Sequence, residues 1–149
     1  MKFLVAVDGS AESYDALRHA LTIAERSEAT VTVVHAVDPD VYEVGGMEPI
    51  TELGDADDRL LVESIEDAEQ RGTDVLEEAA EIAAERGLTV ETDLLYGPPV
   101  PRIVECAERN DVDNVFVGHR GMTDRLEALL GSVAKRVVER SSVPVTVVH

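Results

Sequence analysis

Apolar positions along the chain follow two alternating periods. Short apolar-rich runs occupy Phe3–Val7, Val31–Val37, Asn114–Val117 and Val143–Val148. Runs of this kind read as strands covered on both faces, because neither face meets water. Leu88–Leu95 alternates apolar and polar positions, as a strand near a sheet edge does. Between the runs the period lengthens to that of a helix. Ser10 stands as an N-cap, and Tyr14, Leu17, Leu21 and Ala24 form one buried stripe behind it. A long helix is predicted over Arg59–Arg86, with Leu61, Ile65, Ala68, Val75, Leu76, Ala79 and Ala83 inward. Gly72 is expected to bend that helix and Gly87 to stop it. Pro98, Pro99 and Pro101 open a third helix that ends near Asn110, and a fourth starts near Gly131 after a turn through Asp124–Leu129. From Asp38 to Asp58 the chain carries no Lys or Arg and holds Pro39, Gly45, Gly46 and Pro49. It reads as a long irregular loop, used as a lid or surface segment. Strands alternating with helices across short connections predict an α/β fold: a doubly wound, five-stranded parallel sheet with helices on both faces. Residues 1–149 are expected to form one domain, with no internal repeat.

Composition narrows the setting. Apolar residues make up 44% of the chain, enough for a packed core. No run approaches the roughly 20 apolar residues of a membrane span. Asp8 arrives too early for a secretory leader, so a cytoplasmic location is expected. Thirty-one acids against 13 Lys and Arg give a formal charge of -18, which disfavours nucleic acid and anionic lipid as partners. The acids are spread along the whole chain, as in proteins of salt-in halophiles, where salt screens the self-repulsion. Cys106 stands alone, so no internal disulfide forms, and its helical spacing with Ile103, Val104 and Ala107 reads as core.

The candidate chemistry gathers near the C-terminus. Gly118 follows the strand ending at Val117, Gly121 comes three residues later, and Gly131-Ser132 opens the last helix. Glycines at a strand exit let backbone approach a ligand, and a helix start offers N–H groups to an anion. The arrangement reads as a phosphate cradle. His119 and Arg120 lie between its first two glycines, with Arg120 placed to pair with a phosphate or a carboxylate. In a doubly wound sheet, ligands bind beyond the carboxyl ends of the strands where strand order reverses. If the first and fourth strands are neighbours there, Asp8, Ala36 and Gly118 share one crevice. Asp8 then has two readings that stay open: acceptor for ribose hydroxyls, or cap of the Gly9-Ser10 turn. Backbone at Ala6 and Ala36 would meet an adenine edge. The chain has neither G-x-x-x-x-G-K-[ST] nor G-x-G-x-x-G after the first strand, which excludes a P-loop and a dinucleotide fingerprint. His19, His35, His119 and His149 are too scattered for a metal site, and His35, inside a strand, reads as structural.

These residues resemble the universal stress protein family. Its nucleotide-binding members carry G-x-x-G, nine residues, then G-[ST]. Here that pattern is Gly118-His119-Arg120-Gly121, Met122 to Leu130, then Gly131-Ser132. The opening FLVAVDGSAES is similar to the family's first strand and its aspartate, and the resemblance covers essentially the whole chain. It implies sheet order 3-2-1-4-5 and binding of ATP, or of ADP or AMP. It implies that Asp8 holds ribose and that main-chain groups around Ala6, Val7 and Ala36 hold adenine. It lines the phosphate path with Val117, Gly118, His119, Arg120, Gly121, Gly131, Ser132 and Val133. Ala134 stands where some members carry a hydroxyl residue, so one phosphate contact is missing. Mg²⁺ is compatible with that reading and is not derivable from the residues. The resemblance also implies a homodimer through Val143–Val148. An exposed terminal strand agrees with this, and Pro144, lacking an N–H, shifts pairing to Val145–Val148.

The function expected is that of a nucleotide-binding stress or regulatory module. The rival is a slow ATPase in the same pocket, but Ser132, Thr123 and Asp124 come without a motif lysine. A phosphoacceptor receiver domain would need an acidic pair after strand one and a lysine after strand five. The chain has neither.

Overall fold

In the computed structural model the structure describes residues 1–38, 55–119 and 132–149, with side chains for all of these except 55–64 and 132. The elements run β1 Lys2–Ala6, α1 Ala11–Ser27, β2 Thr30–Val37, α2 Asp55–Ala84, β3 Glu91–Tyr96, α3 Pro99–Arg109, β4 Asn114–Gly118, α4 Ser132–Arg140 and β5 Val145–Val148. The strands form one sheet in the order β3-β2-β1-β4-β5, and every neighbouring pair is parallel. The order reverses at β1, which lies between β2 and β4.

Each face of the sheet has its own core. On one face Phe3, Val5, Val33 and Phe116 pack under Leu17 and Leu21 of α1 and Leu76 and Ala79 of α2. Phe116 is fully buried and meets Phe3 edge-on, ring centroids 5.1 Å apart. On the other face Leu4, Val34, Val115 and Val117 pack under Val100 and Ile103 of α3 and Ala134 and Val137 of α4. Removing one such large side chain from water is worth roughly 1.5–3 kcal/mol, so both faces of β1 and β4 hold the sheet between the helix layers. Cys106 is buried in the second core, and burial first, then the Asp93 charge, pushes its thiol up from 9.0.

Local signals set the helix ends. Ser10 accepts the Ser13 N–H at 3.1 Å and caps α1. At the end of α2, Gly87 takes φ +73° while the Leu88 N–H reaches back to the Ala83 carbonyl at 3.0 Å, a glycine C′ stop. One expectation needs correction. The helix begins at Asp55, so the last residues of the Asp38–Asp58 segment are helical, and segment 39–54 lies outside the described residues. Gly72 lies inside α2, which runs on to Ala84. A Cβ there would lie 2.7 Å from Leu94 Cδ1 and 2.8 Å from His35 Cδ2. The glycine is where the helix comes down onto the sheet. β3 also starts later than its alternating pattern, at Glu91, and takes an edge position as expected. The other edge is β5, all four of whose residues are half-buried.

Candidate functional site

Beyond the carboxyl ends of β1 and β2 lies a cleft of about 750 Å³. Its floor comes from Asp8, Gly9 and His35 to Asp38, and one wall from Tyr14 of α1. Beside it, one stripe of α2 lines the cleft, in which Ala68, Arg71, Val75 and Glu78 follow helical spacing. The volume falls within the range of small-ligand sites, and the cleft opens on the β2 side of β1, whose other neighbour is β4.

Asp8 sits on a tightly determined turn. Its Oδ1 accepts the Ser10 N–H at 2.9 Å and the Ser10 hydroxyl as well. Gly9 between them takes φ +87°, a conformation that favours glycine. The Asp8 N–H is directed to Ser13 Oγ at 3.3 Å. The turn-capping reading of Asp8 is therefore realised in one carboxylate oxygen. The Val7 main chain is also engaged: its N–H bonds Val34 O at 2.9 Å and its carbonyl takes His35 Nδ1 at 2.8 Å. Ala6 and Ala36 are half-buried against the second core, beside Leu4 and Val34.

Tyr14 closes the cleft from the α1 side. Its hydroxyl donates to Glu78 Oε2 at 3.2 Å and lies 3.4 Å from Val75 O. Burial, then the Glu78 charge and hydrogen bond, then the Asp8 charge, push its phenol from 10.0 up to about 12. The cleft thus keeps a neutral donor between carboxylates. Asp8, Asp38, Asp74 and Glu78 give it acid character, against Arg71. Among the described residues no three His, Cys, Asp or Glu come together to hold a metal ion.

The glycine-rich half of the predicted site is described at its two ends. Val117 is buried, and Gly118 and His119 follow at the exit of β4. A Cβ on Gly118 would lie 2.7 Å from the backbone C and O of Glu12 and 2.9 Å from the Ser13 N. The first turn of α1 therefore fills the space that the missing side chain leaves. The His119 N–H is committed to Val148 O at 2.8 Å, and its ring stacks on His149 with centroids 4.2 Å apart. Ser132 is the first residue of α4, and Val133 is half-buried against the second core. Ala134 is buried there. Arg120, Gly121 and Gly131, together with the segment Met122–Leu130, lie outside the described residues.

The fold thus brings Asp8, Ala36, Gly118 and His119 to the same edge of the sheet, from three different strand ends. Sequence reasoning missed the α2 wall. Arg71, Asp74 and Glu78 look like an ordinary solvated helix face, and only their helical spacing with Ala68 and Val75 carries a signal.

A parallel sheet in the order 3-2-1-4-5 with helices on both faces defines a Rossmann-like α/β protein. The chain belongs to the universal stress protein family, whose model matches residues 1–149. It is 32% identical over 151 residues to the universal stress protein MJ0531 of Methanocaldococcus jannaschii, covering 99% of this chain and 81% of that one. It is 32% identical over 148 residues to the universal stress protein YxiE of Bacillus subtilis, covering 99% and 98%. Among solved structures, the universal stress protein UspA from Lactobacillus plantarum shares the fold, with TM-score 0.83 at 24% identity over 100% of this chain and 97% of that one. A universal stress protein in complex with cAMP matches with TM-score 0.67 at 28% identity, covering 100% and 96%. The universal stress protein from Archaeoglobus fulgidus in complex with dAMP matches with TM-score 0.65 at 25% identity, covering 100% and 98%. Among the described residues, no helix is long and apolar enough to cross a membrane.

Proposed function

We propose that the chain binds an adenine nucleotide, ATP or its shorter relatives ADP and AMP, at the carboxyl edge of the sheet. In this reading the base and ribose occupy the cleft over Asp8 and Ala36. The phosphates run toward Gly118, Arg120, Gly121, Gly131 and the start of α4 at Ser132. The observation that carries the reading is the cleft of about 750 Å³ beyond the carboxyl ends of β1 and β2, lined by Asp8 and Ala36. Two relatives bound to adenine nucleotides, cAMP and dAMP, support the same ligand class. The α4 start would add dipole stabilisation of about 0.3–1 kcal/mol, so phosphate affinity rests on several N–H groups acting together.

A binding module of this kind acts by shape. Nucleotide occupancy would change the surface around the cleft and the β5 edge, and partners would read that change. We propose that two copies pair antiparallel through Val145–Val148, which the sheet order leaves at an edge. Mass spectrometry of small molecules released from the natively purified protein tests the ligand. Recovery of an adenine nucleotide near one per chain is the expected result. Recovery of a different ligand class, displaced by none of ATP, ADP or AMP, overturns the reading.

A further inference from the structure

His35 is the half-buried titratable group in the cleft that the nucleotide reading leaves without a task. It projects from β2 on the side of α2, and its Nδ1 lies 2.8 Å from Val7 O. A carbonyl oxygen only accepts, so Nδ1 carries the proton in either charge state of the ring. The other end of the same peptide unit is held too, by the Asp8 N–H on Ser13 Oγ at 3.3 Å. The Val7–Asp8 peptide is therefore fixed at its carbonyl by β2 and at its N–H by α1. The residue that this peptide carries forward is Asp8, at the floor of the cleft.

Something must also hold the ring. Gly72 leaves room for it: a Cβ there would lie 2.8 Å from His35 Cδ2 and 2.7 Å from Leu94 Cδ1, so the α2 backbone passes close to the ring edge. The ring is thus confined on one side by the α2 backbone and hydrogen-bonded on the other to the peptide that leads into Asp8. The glycine read from the sequence as a bend is also where α2 approaches a histidine of the sheet.

We infer that His35 is a positioning residue of the nucleotide site: clamped between Gly72 and Val7 O, it fixes the peptide that aims Asp8 at the ligand. The inference rests on the nucleotide reading of the cleft. It assigns His35 no contact with the reacting or bound atoms. It also separates this histidine from a plain core residue, for which shape alone would suffice.

The test compares His35→Asn, His35→Leu and Gly72→Ala with the parent chain. Asn carries an N–H donor on its Cγ, the atom that bears Nδ1 in histidine, whereas Leu fills space without a donor. Binding of ATP, ADP and AMP is measured by calorimetry below each variant's melting range. Nitrogen-15 spectra of the parent report which ring nitrogen of His35 is protonated. The expected results are an Nδ1–H ring, affinity within about threefold of the parent for His35→Asn, and a loss of about tenfold for His35→Leu. Gly72→Ala is expected to lose affinity with His35→Leu and to weaken the Nδ1 hydrogen bond. A ring protonated at Nε2 alone, or His35→Leu binding as tightly as the parent, overturns the inference. A parent chain that binds none of the three nucleotides removes the nucleotide reading and, with it, the positioning role. The nitrogen-15 signal then still decides whether the clamp on Val7 exists.

Discussion

Replacing Gly118 by Ala tests how the glycine pattern works. Gly118 has been read as a residue that makes room for phosphate, yet the space beside it is taken by the start of α1. An added Cβ would sit 2.7 Å from Glu12 C, 2.7 Å from Glu12 O and 2.9 Å from Ser13 N. Carbon pairs rest at about 3.5–4.0 Å, so the shortfall is of order 1 Å. All three atoms are backbone in the first turn of a helix, which cannot swing aside as a side-chain tip does. Overpacking of this sort costs about 1–3 kcal/mol. The displaced turn includes Ser13, whose N–H is capped by Ser10 at 3.1 Å, and a lost cap costs about 1 kcal/mol more. A total near 3 kcal/mol corresponds to a melting point lower by roughly 6–12 °C in a domain of this size. Scanning calorimetry with parallel urea melts reads it. Gly87→Ala is the control, because Gly87 has φ +73° but nothing within 4 Å of a Cβ, so it carries backbone strain alone, about 1–2 kcal/mol. If Gly118→Ala melts within about 1 °C of the parent, or above Gly87→Ala, the packing argument is wrong and Gly118 serves the ligand alone.

Two further predictions follow from Tyr14 and β5. Because the Tyr14 phenol is raised from 10.0 to about 12 in the fold, its contribution to stability is complete below pH 10 and is lost as pH climbs through about 12. Tyr14→Phe should lower stability near neutral pH by about 1 kcal/mol, through loss of the Glu78 hydrogen bond, and should flatten the alkaline loss between those values. Urea melts that stay parallel to the parent's across that window contradict it. Val147→Asp on the β5 edge should convert a dimer to a monomer in sedimentation equilibrium, and an unchanged mass moves the interface away from β5.

Much of the fold is legible in the sequence because the sheet is buried on both faces. Residues such as Val5, Val33 and Phe116, fully buried, make apolar runs that stand out from the helices. Ser10 and Gly87 act through their own backbone neighbourhood, so they can be read without knowing the tertiary structure. Gly72 cannot. Its helical penalty suggested a bend, but the cause of the glycine is Leu94 and His35, which are distant in sequence. The same holds for the site. Asp8, Ala36 and Gly118 follow from strand ends and a fold rule. The α2 wall does not, because Arg71, Asp74 and Glu78 have the polarity of a solvent face, and only the docking of α2 turns that face toward a cleft. The histidine clamp on Val7 needs a side-chain direction that periodicity does not carry.

The central claim is that the edge of the sheet at Asp8 and Gly118 takes an adenine nucleotide. Titration calorimetry with ATP, ADP and AMP in concentrated KCl, where screening removes the repulsion between an anionic ligand and a chain of formal charge -18, tests it most directly. The account predicts saturable heat for at least one of the three, near one ligand per chain, and reduced heat for Asp8→Ala. Absence of heat with all three, on protein shown to be folded in the same solution, contradicts it.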